Sequence, residues 1–125
     1  ELYISEDVAV PLTAIAELVD ALPFYEEKYS IEVFAFGHAG DGNIHLNITA
    51  QDAGSEALLH EGAEALLELT LRLKGTISGE HGIGIAKAPY LSMELSQNSI
   101  ELQRNIKKLF DPNLILNPGK IFPAS

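Results

Sequence analysis

One dipeptide limits the fold of this chain more than any other. Asp41-Gly42 stands between two runs of β-branched and aromatic residues, Ile31 to Phe36 and Ile44 to Thr49. Asp-Gly is among the strongest short-range hairpin signals, because a type I′ turn requires positive φ at both central positions. With these residues at the turn, Gly40 faces Asn43, Ala39 faces Ile44, and His38 falls opposite His45. Phe36 then faces Asn47 and Phe34 faces Thr49, all on the histidine side of the sheet. Val33, Ala35, Leu46 and Ile48 take the other side. Directly opposed residues have Cβ atoms about 4.5–5.5 Å apart. Two imidazoles so placed can reach one metal ion, at a Zn–N distance of about 2.0–2.1 Å. A packed pair, or two exposed loop histidines, is the plain alternative. A bulge at Gly40 is a further one, and a slip of one residue would send the histidines to opposite faces.

Around this hairpin the pattern alternates strand and helix. Asp7 to Val10 reads as a short strand stopped by Pro11. Thr13 is a candidate N-cap for a helix with Ile15, Leu18, Val19 and Leu22 on one face. Pro23 is expected to end or kink it, with "FYEEKYS" as further turns. "QDAGS" reads as a turn with Ser55 as N-cap, followed by a helix over 56–73 with Gly75 at its end. "GTISGEHGIGIAKAPY" is too rich in glycine for a helix. Residues 99–110 form an amphipathic helix with Leu102, Ile106, Leu109 and Phe110 turned inward. The tail "DPNLILNPGKIFPAS" is extended or turning. The order implies an α+β fold: an antiparallel sheet with helices packed on one face.

Composition narrows the function classes. With 46% hydrophobic and 21% charged residues in 125, one packed domain is expected rather than disorder. The absence of cysteine removes disulfides and thiolate metal sites. No apolar run is long enough to span a membrane. A formal net charge of −10 repels nucleic acid and anionic lipid. An anionic substrate would need a local positive centre, from a bound metal or from one of the eight Lys and Arg. The opening "ELYISEDVAV" reads as the middle of a polypeptide, so the chain is expected to be a domain of a longer protein.

A second cluster adds to the hairpin histidines. "SGEHGIGIAK" places Glu80 and His81 between Gly79 and Gly82, where glycine permits close approach or positive φ. Solvated loop residues are the plain reading of this pair taken alone. Taken with the hairpin, it supplies two His and a carboxylate, a set that leaves open positions on a divalent metal. His81 is then left over as a base, with an unperturbed pKa near ~6.5. His60, mid-helix among acidic residues, reads as a surface histidine.

Three segments, "GHAGDGNIHLNI", "SGEHGIGIAK" and "LFDPNLILNPGKIF", together resemble the C-terminal domain of the FAD-linked oxidase family. The likeness runs in the family's order from about Asp7 to Phe122. That family includes the glycolate oxidase FAD subunit, D-lactate dehydrogenases and D-2-hydroxyglutarate dehydrogenase. The resemblance implies a fold with ferredoxin-like elements and a substrate- and metal-binding domain over 1–125. It implies that His38, His45 and Glu80 hold a divalent metal, Zn, Mn or Fe, and that His81 is the catalytic base. Asn47 would help hold the substrate carboxylate. Lys87 matches a family lysine and is a candidate for anion binding, with a surface lysine as the equal alternative. Asn117, in "NPGK", resembles the segment that returns toward the flavin, with a simple Pro-Gly turn as the other reading.

The resemblance carries expectations about the whole enzyme. FAD would be held mainly by an N-terminal domain that this chain does not contain, as would part of the substrate site, so the chain alone is expected to be inactive. The substrate is expected to be a small 2-hydroxy acid, oxidised to the keto acid with hydride transfer to FAD. Members specific for 2-hydroxyglutarate carry a lysine just before the first strand, where this chain reads "SEDVAVP". Glycolate or D-lactate therefore fits better than a dicarboxylate. Quinone, cytochrome and electron-transfer flavoprotein are all open as electron acceptors. Expected surroundings are the cytoplasm, a membrane periphery or the mitochondrial matrix of a eukaryote. An apolar face that meets the flavin domain would also suit a homo-oligomer. The rival readings are a metal-dependent hydrolase and a non-catalytic binding module.

Overall fold

In the computed structural model, residues 2–38, 40–51 and 55–122 are described. The chain divides into two units, Glu1–His81 and Gly82–Ser125.

The first unit is organised by a strand with strict period two. In β3 (Asn43–Ala50), Ile44, Leu46 and Ile48 are buried while Asn43, His45 and Asn47 are half-buried on the opposite face. β1 (Tyr3–Ala9) and β2 (Ile31–His38) pair antiparallel on either side of it, giving the order β1-β3-β2. Val8, Ile44, Leu46 and Ile48 are buried on the face that α2 (Glu56–Arg72) covers, and α1 (Ile15–Tyr29) packs beside α2 against β2. Burying such a side chain contributes about 1.5–3 kcal/mol. The fold is thus α+β with helices on one face, as the pattern implies. The sequence β1-α1-β2-β3-α2 with this strand order is the ferredoxin-like arrangement up to its second helix.

Several local features depart from expectation. β1 starts at Tyr3 rather than Asp7. Thr13 does not cap a helix; it lies within a 3₁₀ turn, Leu12–Ala14, and α1 begins at Ile15. Pro23 does not end α1. It sits on the exposed side, while Leu18, Leu22 and Tyr25 anchor both halves of the helix in the core. Ser55 does cap α2, accepting a hydrogen bond from the Leu58 amide at 3.1 Å. Residues 52–54 of the expected "QDAGS" turn, and Ala39, lie outside the described residues. At the end of α2, Lys74 takes the left-handed conformation (φ 67°) instead of Gly75. The amides of Lys74 and Gly75 donate to the carbonyls of Leu71 and Thr70, the Schellman pattern. Gly75 is needed for another reason: a Cβ there would stand 2.3 Å from the carbonyl oxygen of Ala9.

The hairpin register also differs. His38 pairs with Asn43, Phe36 with His45, and Phe34 with Asn47. The strands therefore close around a four-residue connection, 39–42, instead of a two-residue turn. Two contacts account for it. The Asp41 carboxylate accepts the Asn43 amide at 3.1 Å, and the Gly42 carbonyl accepts the Val10 amide at 3.1 Å. A shift of two residues preserves which side chains share a face.

The second unit holds a 3₁₀ turn (Ala88–Tyr90), a short helix α3 (Leu91–Glu94) and α4 (Gln97–Phe110), capped by Ser96. Leu102, Ile106, Leu109 and Phe110 do not turn inward; all four are exposed, Phe110 at 80%, and Ile100 is the buried residue of α4. Asp111 ends the helix. Its carboxylate accepts from Lys107 Nζ and from the amides of Ile115 and Leu116. Asn117 to Lys120 forms a turn with Pro118 and Gly119 at its centre, Gly119 at φ 76°. Among the described residues, no helix is long and apolar enough to cross a membrane.

Two outcomes follow from this packing. Leu46→Ala should cost about 2–5 kcal/mol in urea denaturation, and Phe34→Ala, on the exposed face, much less. The hydrogen bond from Lys107, aided by the Leu116 and Ile115 amides, holds the Asp111 carboxyl below its ordinary 3.8 despite burial acting in the opposite direction. Stabilisation from a lowered carboxyl is complete above pH 3.8 and is lost as pH falls through the folded-state value. The Ile115 and Leu116 amide resonances should therefore shift in that acid range, and Asp111→Asn should abolish the transition.

Candidate metal and proton-transfer site

The face of the sheet opposite the helices carries Phe34, Phe36, His38, Asn43, His45 and Asn47 from the hairpin, with Ser5 and Asp7 from β1. His45 is the central member. Its ring stacks on Phe36, with centroids 5.2 Å apart and planes at 21°. Across the other ladder it pairs with Asp7.

After α2 the chain runs back along β1. Thr76 and Ala9 exchange both backbone hydrogen bonds, and the Gly79 amide donates to the Asp7 carbonyl at 3.3 Å. Gly79 makes this approach possible: a Cβ there would lie 2.6 Å from Asn43 Oδ1 and 3.0 Å from the Val8 carbonyl oxygen. The next two residues are Glu80 and His81. Glu80 Oε1 stands 3.3 Å from His45 Nε2 and 3.9 Å from His81 Nε2. The His45 and His81 rings have centroids 5.4 Å apart. One donor atom from each of His45, Glu80 and His81 falls within 4.8 Å of the others. Two imidazoles and a carboxylate at this separation are a donor set suited to a divalent first-row metal. The residues present therefore fit such an ion.

The sequence-derived candidates are distributed unevenly. His45, Glu80 and His81 converge. His38 shares their face but is opposite Asn43, one diagonal step from His45, a spacing that long side chains can still bridge. Asn47 lies two residues from His45 on the same face and accepts a hydrogen bond from Ser5 Oγ at 2.7 Å. His60 is a surface residue, 3.9 Å from Glu56. In the second unit, Lys87 is 5% exposed. Asn117 is exposed, at φ 45°, at the start of its turn. One participant was not foreseen. Asp7, 3% exposed, accepts the amides of Glu80 (2.6 Å) and His81 (2.9 Å) on Oδ2. The signal available in the sequence was its place in the alternation of β1, but "SED" reads as solvent-facing.

Comparison with known proteins agrees with this architecture. Residues 1–121 match the family model of FAD linked oxidases, C-terminal domain, and the chain belongs to that family. It is 42% identical to the glycolate oxidase subunit GlcD of Bacillus subtilis, over 95% of this chain and 26% of the relative. It is 46% identical to a D-lactate dehydrogenase of Archaeoglobus fulgidus, over 92% of this chain and 26% of the relative. It is 40% identical to a D-2-hydroxyglutarate dehydrogenase of Xanthomonas citri, over 93% and 26% respectively. The chain thus spans about a quarter of the length of these relatives.

The tight seat of Gly79 is open to test. Gly79→Ala should cost about 1–3 kcal/mol in denaturation, as overpacking does, and should shift the His81 ring resonances more than those of His60.

Proposed function

We propose that this chain is the substrate and metal domain of an FAD-dependent enzyme oxidising a small 2-hydroxy acid, glycolate or D-lactate. The observation that carries the reading is the convergence of His45, Glu80 and His81 within 4.8 Å on one sheet face, in a chain of the FAD-linked oxidase family.

His38, His45 and Glu80 would hold a divalent cation, Zn, Mn or Fe. When bound, that ion supplies Lewis acidity at the substrate hydroxyl and the flavin supplies the hydride acceptor. His81 takes the hydroxyl proton. Its side chain is 65% exposed, so a substrate can approach it without rearrangement of the core. Glu80 and His45 orient that end of the substrate. Asn47, on the same face, offers an amide N–H to the substrate carboxylate while its Oδ1 is engaged by Ser5. The stacked Phe36 fixes the His45 ring and excludes water from one side of it. In the second unit, Lys87 and Asn117 are the proposed anion and flavin contacts. The absence of a lysine from "SEDVAVP" supports a monocarboxylate over 2-hydroxyglutarate.

Metal content and turnover test this together. Plasma mass spectrometry after mild dialysis should find near-stoichiometric metal in the full-length protein, lost in His38→Ala and His45→Ala but kept in His81→Ala. Oxidation by the His81→Ala enzyme should fall about 10²–10⁴-fold, the usual worth of a general base. Metal lost from His81→Ala but retained by His38→Ala would exchange their roles. Metal absent from every form would overturn the reading.

A further inference from the structure

We propose that the second unit carries a binding site for a nucleoside phosphate, in the groove between the polar face of α4 and the turn at Pro118–Gly119. This goes beyond the functional reading above and does not depend on it.

The argument begins with charge. Residues 1–81 hold fifteen of the eighteen Asp and Glu but only three of the eight Lys and Arg. Residues 82–125 hold the other five cations and three acids. Four of those five cations line one groove of about 730 Å³: Arg104, Lys107 and Lys108 from α4, and Lys120 from the turn. Lys107 is engaged by the Asp111 carboxylate and by the Leu116 carbonyl at 2.9 Å. Among the remaining charged residues of the lining, Arg104, Lys108 and Lys120 stand against Glu101, an excess of two positive charges. An arginine has five N–H donors, so one guanidinium can serve a protein partner and a ligand together. A phosphate monoester carries about −1.5 to −2 at pH 7, which matches that excess. A short anion feels mainly the charges within about 8 Å at physiological salt, so the local balance decides and not the total for the chain.

The form of the groove points the same way. A tail folded for hydrophobic burial would cover the apolar side of α4. Leu102, Ile106 and Leu109 instead remain exposed, and the groove is lined by Glu101, Arg104 and Lys108, spaced three and four residues apart. Attraction of lysine to a helix C-terminus accounts for Lys107 and Lys108, but not for Arg104 in mid-helix or Lys120 beyond the helix. The tail also holds strain. Leu114, Asn117 and Ile121 take positive φ, at 52°, 45° and 67°, and a β-branched residue there is an outlier. Such strain persists where surrounding contacts impose it, and it clusters at ligand clamps. The Ile121 amide is fixed by the Gly84 carbonyl at 2.6 Å, and the Phe122 ring that follows lies 5.8 Å from the Arg104 guanidinium. Nucleobases stack on aromatic rings and on guanidinium planes, with little regard to which base it is. The groove volume falls within the range of about 300–1,000 Å³ usual for small-molecule sites. Phosphate and planar ring are thus both provided for.

The test is a titration of the full chain with AMP, adenosine and inorganic phosphate, read by ¹H–¹⁵N correlation spectra at about 0.15 M salt. AMP is expected to bind saturably and to move the Arg104 Nε–H and the amides of Gly119, Lys120 and Phe122. It should bind at least about tenfold more tightly than adenosine or inorganic phosphate. The double variant Lys108→Gln, Lys120→Gln should weaken AMP by about tenfold or more and leave the β3 amides unmoved. Phe122→Leu should weaken AMP but not inorganic phosphate. No saturable AMP binding, shifts confined to the first unit, or an affinity unchanged in the folded double variant would overturn the proposal. Inorganic phosphate bound as tightly as AMP would reduce the groove to a simple anion site and overturn it equally. The experiment uses neither metal nor turnover, so its result stands apart from that of the metal assay.

Discussion

Strand β3 imposes the constraint on which the first unit depends. It is the middle strand, so both of its edges are spent on backbone pairing with β1 and β2. Its only freedom is which side chain goes to which face, and period two removes that freedom as well. Once Ile44, Leu46 and Ile48 are drawn under α2, His45 and Asn47 are committed to the opposite face. Hydrophobic burial on one side of the sheet thus orients the polar chemistry on the other. Precision at His45 comes from the core behind it and from the Phe36 ring beside it.

The other half of the site comes from a segment that begins as a strand and stops being one. Thr76 makes a single antiparallel bridge to Ala9, where the last strand of a ferredoxin-like sheet would begin. The chain then leaves regular geometry at Ser78 and Gly79 and brings Glu80 and His81 over the face that holds His45. A regular strand would send these two consecutive side chains to opposite faces. The irregular backbone, tied down by Asp7, lets both approach His45. Glycine at position 79 and a buried carboxylate at position 7 are the two conditions for that arrangement.

The extent to which this was legible in the sequence follows from the range of each interaction. Partition of the hairpin side chains between two faces depends only on alternation, and it was readable. The register was not, because Asp41 bonds Asn43 and Gly42 is held by Val10 from another strand. Asp-Gly announces a turn but says nothing of Val10. Because the register moved by two, the faces survived while the direct His38–His45 pairing did not. The four exposed apolar residues of α4 follow the same logic. Periodicity identifies residues sharing a helix face, as Leu102, Ile106 and Leu109 do, without saying what lies against it. Pro23 fails as a helix terminator because tertiary contacts of Leu18, Leu22 and Tyr25 outweigh one lost hydrogen bond. Asp7 was invisible because its partners are backbone amides more than seventy residues away, and amides leave no mark in a sequence.

The course of residues 76–79 along β1 has a consequence beyond chemistry. The outer rim of a sheet is a template on which a foreign strand can add itself, and proteins commonly blunt it with charge, bulges or a covering loop. Here the covering loop is the one that carries Glu80 and His81. Its bridge at Ala9 and its bond to the Asp7 carbonyl occupy groups that would otherwise invite a neighbour. On the far rim Glu26 does similar duty by accepting the Val33 amide at 2.9 Å. Loosening the loop that bears Glu80 and His81 would therefore unmask a sticky border, which joins resistance to aggregation to integrity of the candidate site.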